Sequence, residues 1–169
     1  MIERSKRPVA AARLAAVARE LLDASTLCAI ATVAAGGRAH VNTAYFAWSD
    51  ELELVWLSEP RALHSRNLET NRTVAIAVYD SRQVWGRPDR GIQLFGSARA
   101  SAGRHAEEVY AARFPAYRTG ELDAYRFYLF RPRRVKLFHE RALGTGRFVT
   151  ARVGRGGALV WERTEIYRT

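Results

Sequence analysis

Apolar and polar positions along the chain fall into two rhythms. Over residues 8–24, Leu14, Val17 and Leu21 recur at helical spacing, while Arg13, Arg19 and Glu20 take the opposite face. Pro8 suits a first turn and the many alanines favour the state, so this stretch predicts a helix. Residues 26–33 are short, apolar and rich in β-branched side chains, which predicts a buried strand. Gly36-Gly37 supplies the positive φ angles of a tight hairpin turn, with residues 40–48 as the returning strand. Ser49-Asp50-Glu51 turns the chain again into a third strand over residues 52–58.

Pro60 ends that run. Residues 61–71 fit a short helix with Leu63 and Leu68 on one side, and residues 73–79 a fourth strand. Residues 80–90 contain Gly86, Pro88 and Asp89 and read as a loop, followed by a fifth strand over 91–100. Residues 103–114 read as an amphipathic helix with Ala106, Val109, Tyr110 and Phe114 inward. Residues 125–131 and 134–138 are two strands separated at Pro132. From about residue 144 to 169 the chain reads as a glycine-rich tail with one strand-like piece at 158–161. Strands joined by tight turns imply antiparallel pairing, and closure into a barrel removes exposed edges. The expectation is one α+β domain over residues 1–169, mainly β, with six or seven antiparallel strands and flanking helices.

Composition narrows the classes. The chain has 169 residues, 48% hydrophobic and 26% charged, which excludes a wholly disordered chain. No apolar run approaches the roughly 20 residues of a membrane helix. Basic residues near Met1 are not followed by an apolar stretch with a cleavage site, so a cytoplasmic location is expected. The net charge of +10 raises nucleic acid, anionic membrane or a phosphorylated ligand as partner. The arginines are scattered among acids, however, and the best cluster is only Arg131-Pro132-Arg133-Arg134-Val135-Lys136. Nucleic acid is therefore not the expected partner.

Candidate chemistry is sparse. No two of His40, His64, His105 and His139 stand at metal-ligand spacing, and no metal is expected. The lone Cys28 sits in an apolar strand and reads as a core thiol. Glycine-rich dinucleotide and triphosphate loops and the nucleophile elbow are missing. What remains is the segment from Asn42 to Asn71. There a strand with small polar positions and a second strand ending in Ser58 lead to a helix that starts with Arg61, His64 and Ser65. A helix start with cationic neighbours is suited to one phosphate.

On these residues the chain resembles the pyridoxamine 5′-phosphate oxidase-like family. The resemblance rests on the run Arg38-Ala-His-Val-Asn-Thr-Ala-Tyr-Phe-Ala-Trp48 and on the pattern of a strand ending in Ser58, then His64-x-x-Asn67-Leu68-x-x-Asn71, then Val74-Ala75. Residues 91–99 fit that family's next strand and 125–138 its closing strand pair, so the likeness spans roughly residues 20–150. It implies a split β-barrel, a homodimer, FMN at the subunit interface, and hydride or electron transfer with a small organic substrate. Carried over by position, Asn42, Thr43, Ala44 and Tyr45 would run along the isoalloxazine, and Leu57 and Ser58 would flank the ribityl chain. Arg61, His64 and Ser65 would hold the phosphate, and Gly91 would face the partner's flavin.

Two departures bear on chemistry. The vitamin-making oxidases carry arginine where this chain has Asn42, and Ser-Arg-Lys where it has Ala62-Leu63-His64. Cationic phosphate contacts are lost or moved to Arg61 and Arg66, and histidine does not replace a bidentate arginine. True pyridoxamine phosphate oxidation is not expected. A deazaflavin coenzyme or haem is the alternative ligand; a binding module without turnover and a basic nucleic-acid-associated protein are the alternative functions.

Overall fold

A computed structural model describes residues 1–118 and 124–168. Its centre is a closed antiparallel barrel of six strands: β2 (Leu27–Val33), β3 (Ala39–Trp48), β4 (Leu54–Ser58), β5 (Thr73–Val78), β6 (Arg90–Ala100) and β7 (Arg126–His139). The order around the barrel is β7-β4-β3-β2-β5-β6, and β6 returns to β7 to close it. Three more strands, β1 (Ile2–Ser5), β8 (Arg147–Val153) and β9 (Leu159–Tyr167), extend the sheet beyond β7 in the order β8, β9, β1. The long β7 is shared lengthwise. Its first half pairs with β4, its second half with β8, and nearly all of it with β6. The expected mainly β split barrel is the observed architecture.

Strand alternation fills the interior. Cys28, Ile30 and Thr32 of β2 point inward, as do Val74, Ile76 and Val78 of β5. Burial raises the Cys28 thiol pKa to about 12, so it is a packed, unreactive side chain. Helix α1 (Ala11–Asp23) lays Leu14, Val17, Ala18, Leu21 and Leu22 into the same core as Phe46, Trp56 and Phe130. His139 at the end of β7 meets Glu20 of α1 at 3.0 Å. Helix α3 (Arg104–Arg113) covers the outside of the barrel, where Ala106 packs on Val55 and Leu129.

Two segments differ from the sequence expectation. Residues 126–139 form one strand rather than two, because Pro132 sits where the register of β6 and β7 shifts and its missing N–H is not needed. The segment from Gly144 onward is not a tail. After the short helix α4 (Glu140–Leu143), it forms β8 and β9, and its glycines 144, 146, 156 and 157 adopt positive φ in the connecting turns. The last residue of the expected domain, Thr169, and residues 119–123 lie outside the described residues. Among those described, no helix is long and apolar enough to cross a membrane.

Candidate functional site

The barrel opens between β3 and β4. Over nearly its whole length β3 is paired with β2, yet it meets β4 only from Phe46 to Trp48. On the side away from β2, Ala39–Tyr45 therefore presents an edge with no strand partner among the described residues. Such an edge offers backbone donors and acceptors to a ligand. Alternation sends His40, Asn42 and Ala44 to the inner side and Val41, Thr43 and Tyr45 outward. The buried Oδ1 of Asn42 has no hydrogen-bond partner. Thr43 and Tyr45 are exposed, and the Tyr45 ring meets Phe114 edge-on at 5.9 Å.

Helix α2 (Leu63–Thr70) follows the end of β4 and packs against β2, β3 and β6. Asn67 Nδ2 donates to Thr32 Oγ1 at 2.9 Å, a buried bond that ties α2 to β2. One turn earlier, His64 Nε2 lies 2.6 Å from Ser58 Oγ. The His64 ring is stacked on His40, with centroids 6.3 Å apart and planes within 5°. The N-cap residue Ala62 supplies no side-chain cap, and the first backbone N–H returned to the helix is that of Arg66. The N–H groups of the preceding turn thus remain open beside the imidazole.

Burial holds the His64 pKa below its ordinary 6.5, and the neighbouring His40 adds to the effect. At neutral pH His64 is a neutral imidazole that offers one donor and one acceptor. The sign for stability follows from linkage. An unfolded His64 takes up its proton first as pH falls, so its stabilising contribution is complete above 6.5 and is lost as pH falls from there through the lower folded value. Denaturant midpoints at pH 7.5 and 5.5 are expected to drop less in His64→Gln than in the unaltered chain. Equal drops would contradict the assignment.

The residues singled out in the sequence are only partly brought together. Ser58 and His64 are in contact, and Asn42 lies on the same side of β3 as His40. Arg61 is exposed, and its guanidinium makes no hydrogen bond or ion pair among the described residues. Leu57 points away from Ser58, toward the side on which its pairing partner Phe127 packs against the α3 cluster. Ser65 is buried and its Oγ lacks a partner, but it lines a cavity that neither Ser58 nor His64 borders. Gly91 is buried opposite Phe138, whose ring would overlap any added Cβ, so packing alone accounts for glycine there. His40, Thr32 and Asn67 were not among the expected site residues. The His-x-x-Asn spacing from His64 to Asn67 points to Asn67 alone; His40 and Thr32 are brought in by strand pairing.

The family model described as pyridoxamine 5′-phosphate oxidase matches residues 14–139, which include the open edge, the Ser58–His64 pair and the closing strand. The chain belongs to this family. No curated protein matches it. Solved structures with the same fold include HutZ, the haem storage protein from Vibrio cholerae, at 22% identity and TM-score 0.58, with 68% of this chain and 87% of that one covered. Another is a haem-binding protein from Mycobacterium smegmatis, at 19% identity and TM-score 0.65. It matches 88% of this chain, which spans only 60% of that one. A third is a Clostridium acetobutylicum protein of the pyridoxine phosphate oxidase family related to general stress protein 26 of B. subtilis. It shows 13% identity, TM-score 0.61, and coverage of 83% and 95%. At these identities the likeness is one of fold.

Proposed function

We propose that this chain is a homodimeric flavin-binding protein that exchanges hydride or electrons between FMN and a small organic substrate. The observation that carries the reading is the combination of a strand edge over Asn42–Tyr45, unpaired on its β4 side, with an uncapped helix start beside Ser58 and His64. Backbone groups on that edge suit the polar rim of a flavin ring, and the orphaned Asn42 Oδ1 can accept from a ring N–H. The open N–H groups of α2, the His64 ring and the free Arg61 guanidinium suit a phosphate. The flavin supplies the redox chemistry when bound, and the chain's part is to hold and orient it. No side-chain acid or base is required for that role. A deazaflavin is the alternative ring for the same edge.

The outer sheet face supports the homodimer. Val41, Leu27, Tyr45, Tyr79 and Phe95 are all more than 40% exposed. Small residues lie between them, with Val41, Ala31, Ala75 and Phe95 forming one row across four strands. A contiguous apolar face of this kind favours association. A second reading is haem binding without turnover, favoured by the neutral His64 imidazole at the opening, since neutral imidazole is a metal ligand.

Titration with FMN, followed by quenching of flavin fluorescence, tests the reading. Ser58→Ala and His64→Ala are each expected to weaken FMN about tenfold, as loss of a hydrogen bond to a charged group costs about 1.5–3 kcal/mol. Unchanged affinity in both variants would overturn the phosphate assignment. Saturable haem binding with a Soret shift lost in His64→Ala, and no FMN binding, would select the second reading.

A further inference from the structure

The flank of α2 away from Thr32 borders a separate cavity of about 220 Å³. Ser65, Leu68, Glu69 and Arg72 form one wall, and Arg99, Ala100, Arg126 and Tyr128, from the facing ends of β6 and β7, form the other, with Pro60 at the rim. Ser65 is only 2% exposed, and its Oγ has no hydrogen-bond partner. A buried hydroxyl is ordinarily satisfied, so this one asks for an acceptor or donor in the cavity. Arg72, Arg99 and Arg126 make no side-chain hydrogen bond or ion pair among the described residues. Nearby Arg131 and Arg134, by contrast, are held by Glu53 and Glu162 at 2.7 Å. Glu69 shares the cavity and pairs with none of the three. The wall thus carries three guanidinium groups against one carboxylate, an excess of two positive charges around an unsatisfied hydroxyl.

We propose that this cavity binds a phosphate monoester dianion, carried on a small organic molecule, independently of the opening that holds the cofactor. The excess charge matches a dianion, whereas a single carboxylate would leave one guanidinium unbalanced. Guanidinium forks suit phosphate oxygens, and the Ser65 hydroxyl donates to one of them. A water occupies about 30 Å³, so the volume admits a phosphate with a short stem but not a tricyclic ring.

The test is calorimetric titration of the full chain with inorganic phosphate at constant ionic strength, in the unaltered protein and in a His64→Ala background. The second chain weakens the other anion position, so a site that keeps its full affinity there is distinct from it, and failure of the flavin reading leaves this experiment unaffected. One saturable phosphate site is expected in His64→Ala. Arg99→Gln and Arg126→Gln, both at exposed side chains, are each expected to weaken it at least tenfold. Ser65→Ala is expected to abolish the phosphate-dependent rise in melting temperature while leaving the phosphate-free melt intact. Phosphate binding that disappears in His64→Ala, or that persists unchanged in both arginine variants, would overturn the proposal. So would saturable binding of single-stranded DNA without saturable binding of phosphate.

Discussion

Trp56→Ala is expected to cost about 3–5 kcal/mol of folding free energy, the range for removing a large aromatic side chain from a packed core. Trp56 is fully buried inside the barrel on β4, and its ring stacks on Tyr128 of β7 at 5.7 Å with planes 14° apart. The pair joins β4 to β7, next to the seam where β4 meets β3 only from Phe46 to Trp48, so truncation leaves a cavity beside the least paired part of the barrel. The Nε1 atom of Trp56 is buried without a partner. Trp56→Phe keeps most of the stacking and removes that orphaned N–H, so it is expected to cost far less than the alanine variant. Urea denaturation followed by circular dichroism measures both. A loss below about 1 kcal/mol in Trp56→Ala would show that the stacked pair does not hold the barrel together.

Gly96→Ala is expected to be more damaging than its one added methyl suggests. A Cβ at Gly96 would overlap the carbonyl oxygen of Arg131 and come within 2.8 Å of Pro132 Cα. Both are backbone atoms, so no rotamer change relieves the clash. The position is the register shift between β6 and β7, the seam where the barrel closes. The strands must part there, and a loss of about 4 kcal/mol or more is expected, a large fraction of the stability of a domain this size. Gly91→Ala makes the useful comparison. Its added Cβ would meet the Phe138 ring, which can turn, so a smaller loss is expected. Similar melting temperatures for Gly96→Ala and the unaltered chain would contradict the account of the seam.

Much of the barrel is legible in the sequence because local signals agree with the fold. Gly36 and Gly37 do adopt positive φ in the hairpin, and the alternation of Cys28, Ile30 and Thr32 does mark the inner face of β2. Two features escape local reading. Pro132 lies inside a strand because a bulge excuses its missing donor, a fact set by the partner strand. The glycines after Leu143 look like a loose end, but each serves a turn between paired strands. The Ser58–His64 contact follows from a strand end leading into a helix and was accessible from spacing. His40 was not, because its place beside His64 depends on the β2–β3 register that sets it opposite Thr32, and on the Asn67 bond that draws α2 toward Thr32. Ser65 stands next to His64 in the chain, yet the turn of the helix carries it to another cavity, which residue order alone does not reveal.

The central claim is that the strand edge and the start of α2 hold a ring and a phosphate together. Parallel titrations of the full chain with FMN and riboflavin test it most directly, since the two ligands differ only in the phosphate. One FMN per chain is expected, bound at least tenfold more tightly than riboflavin, with the difference shrinking in His64→Ala. Equal affinities for the two, or no quenching of either, would contradict the claim.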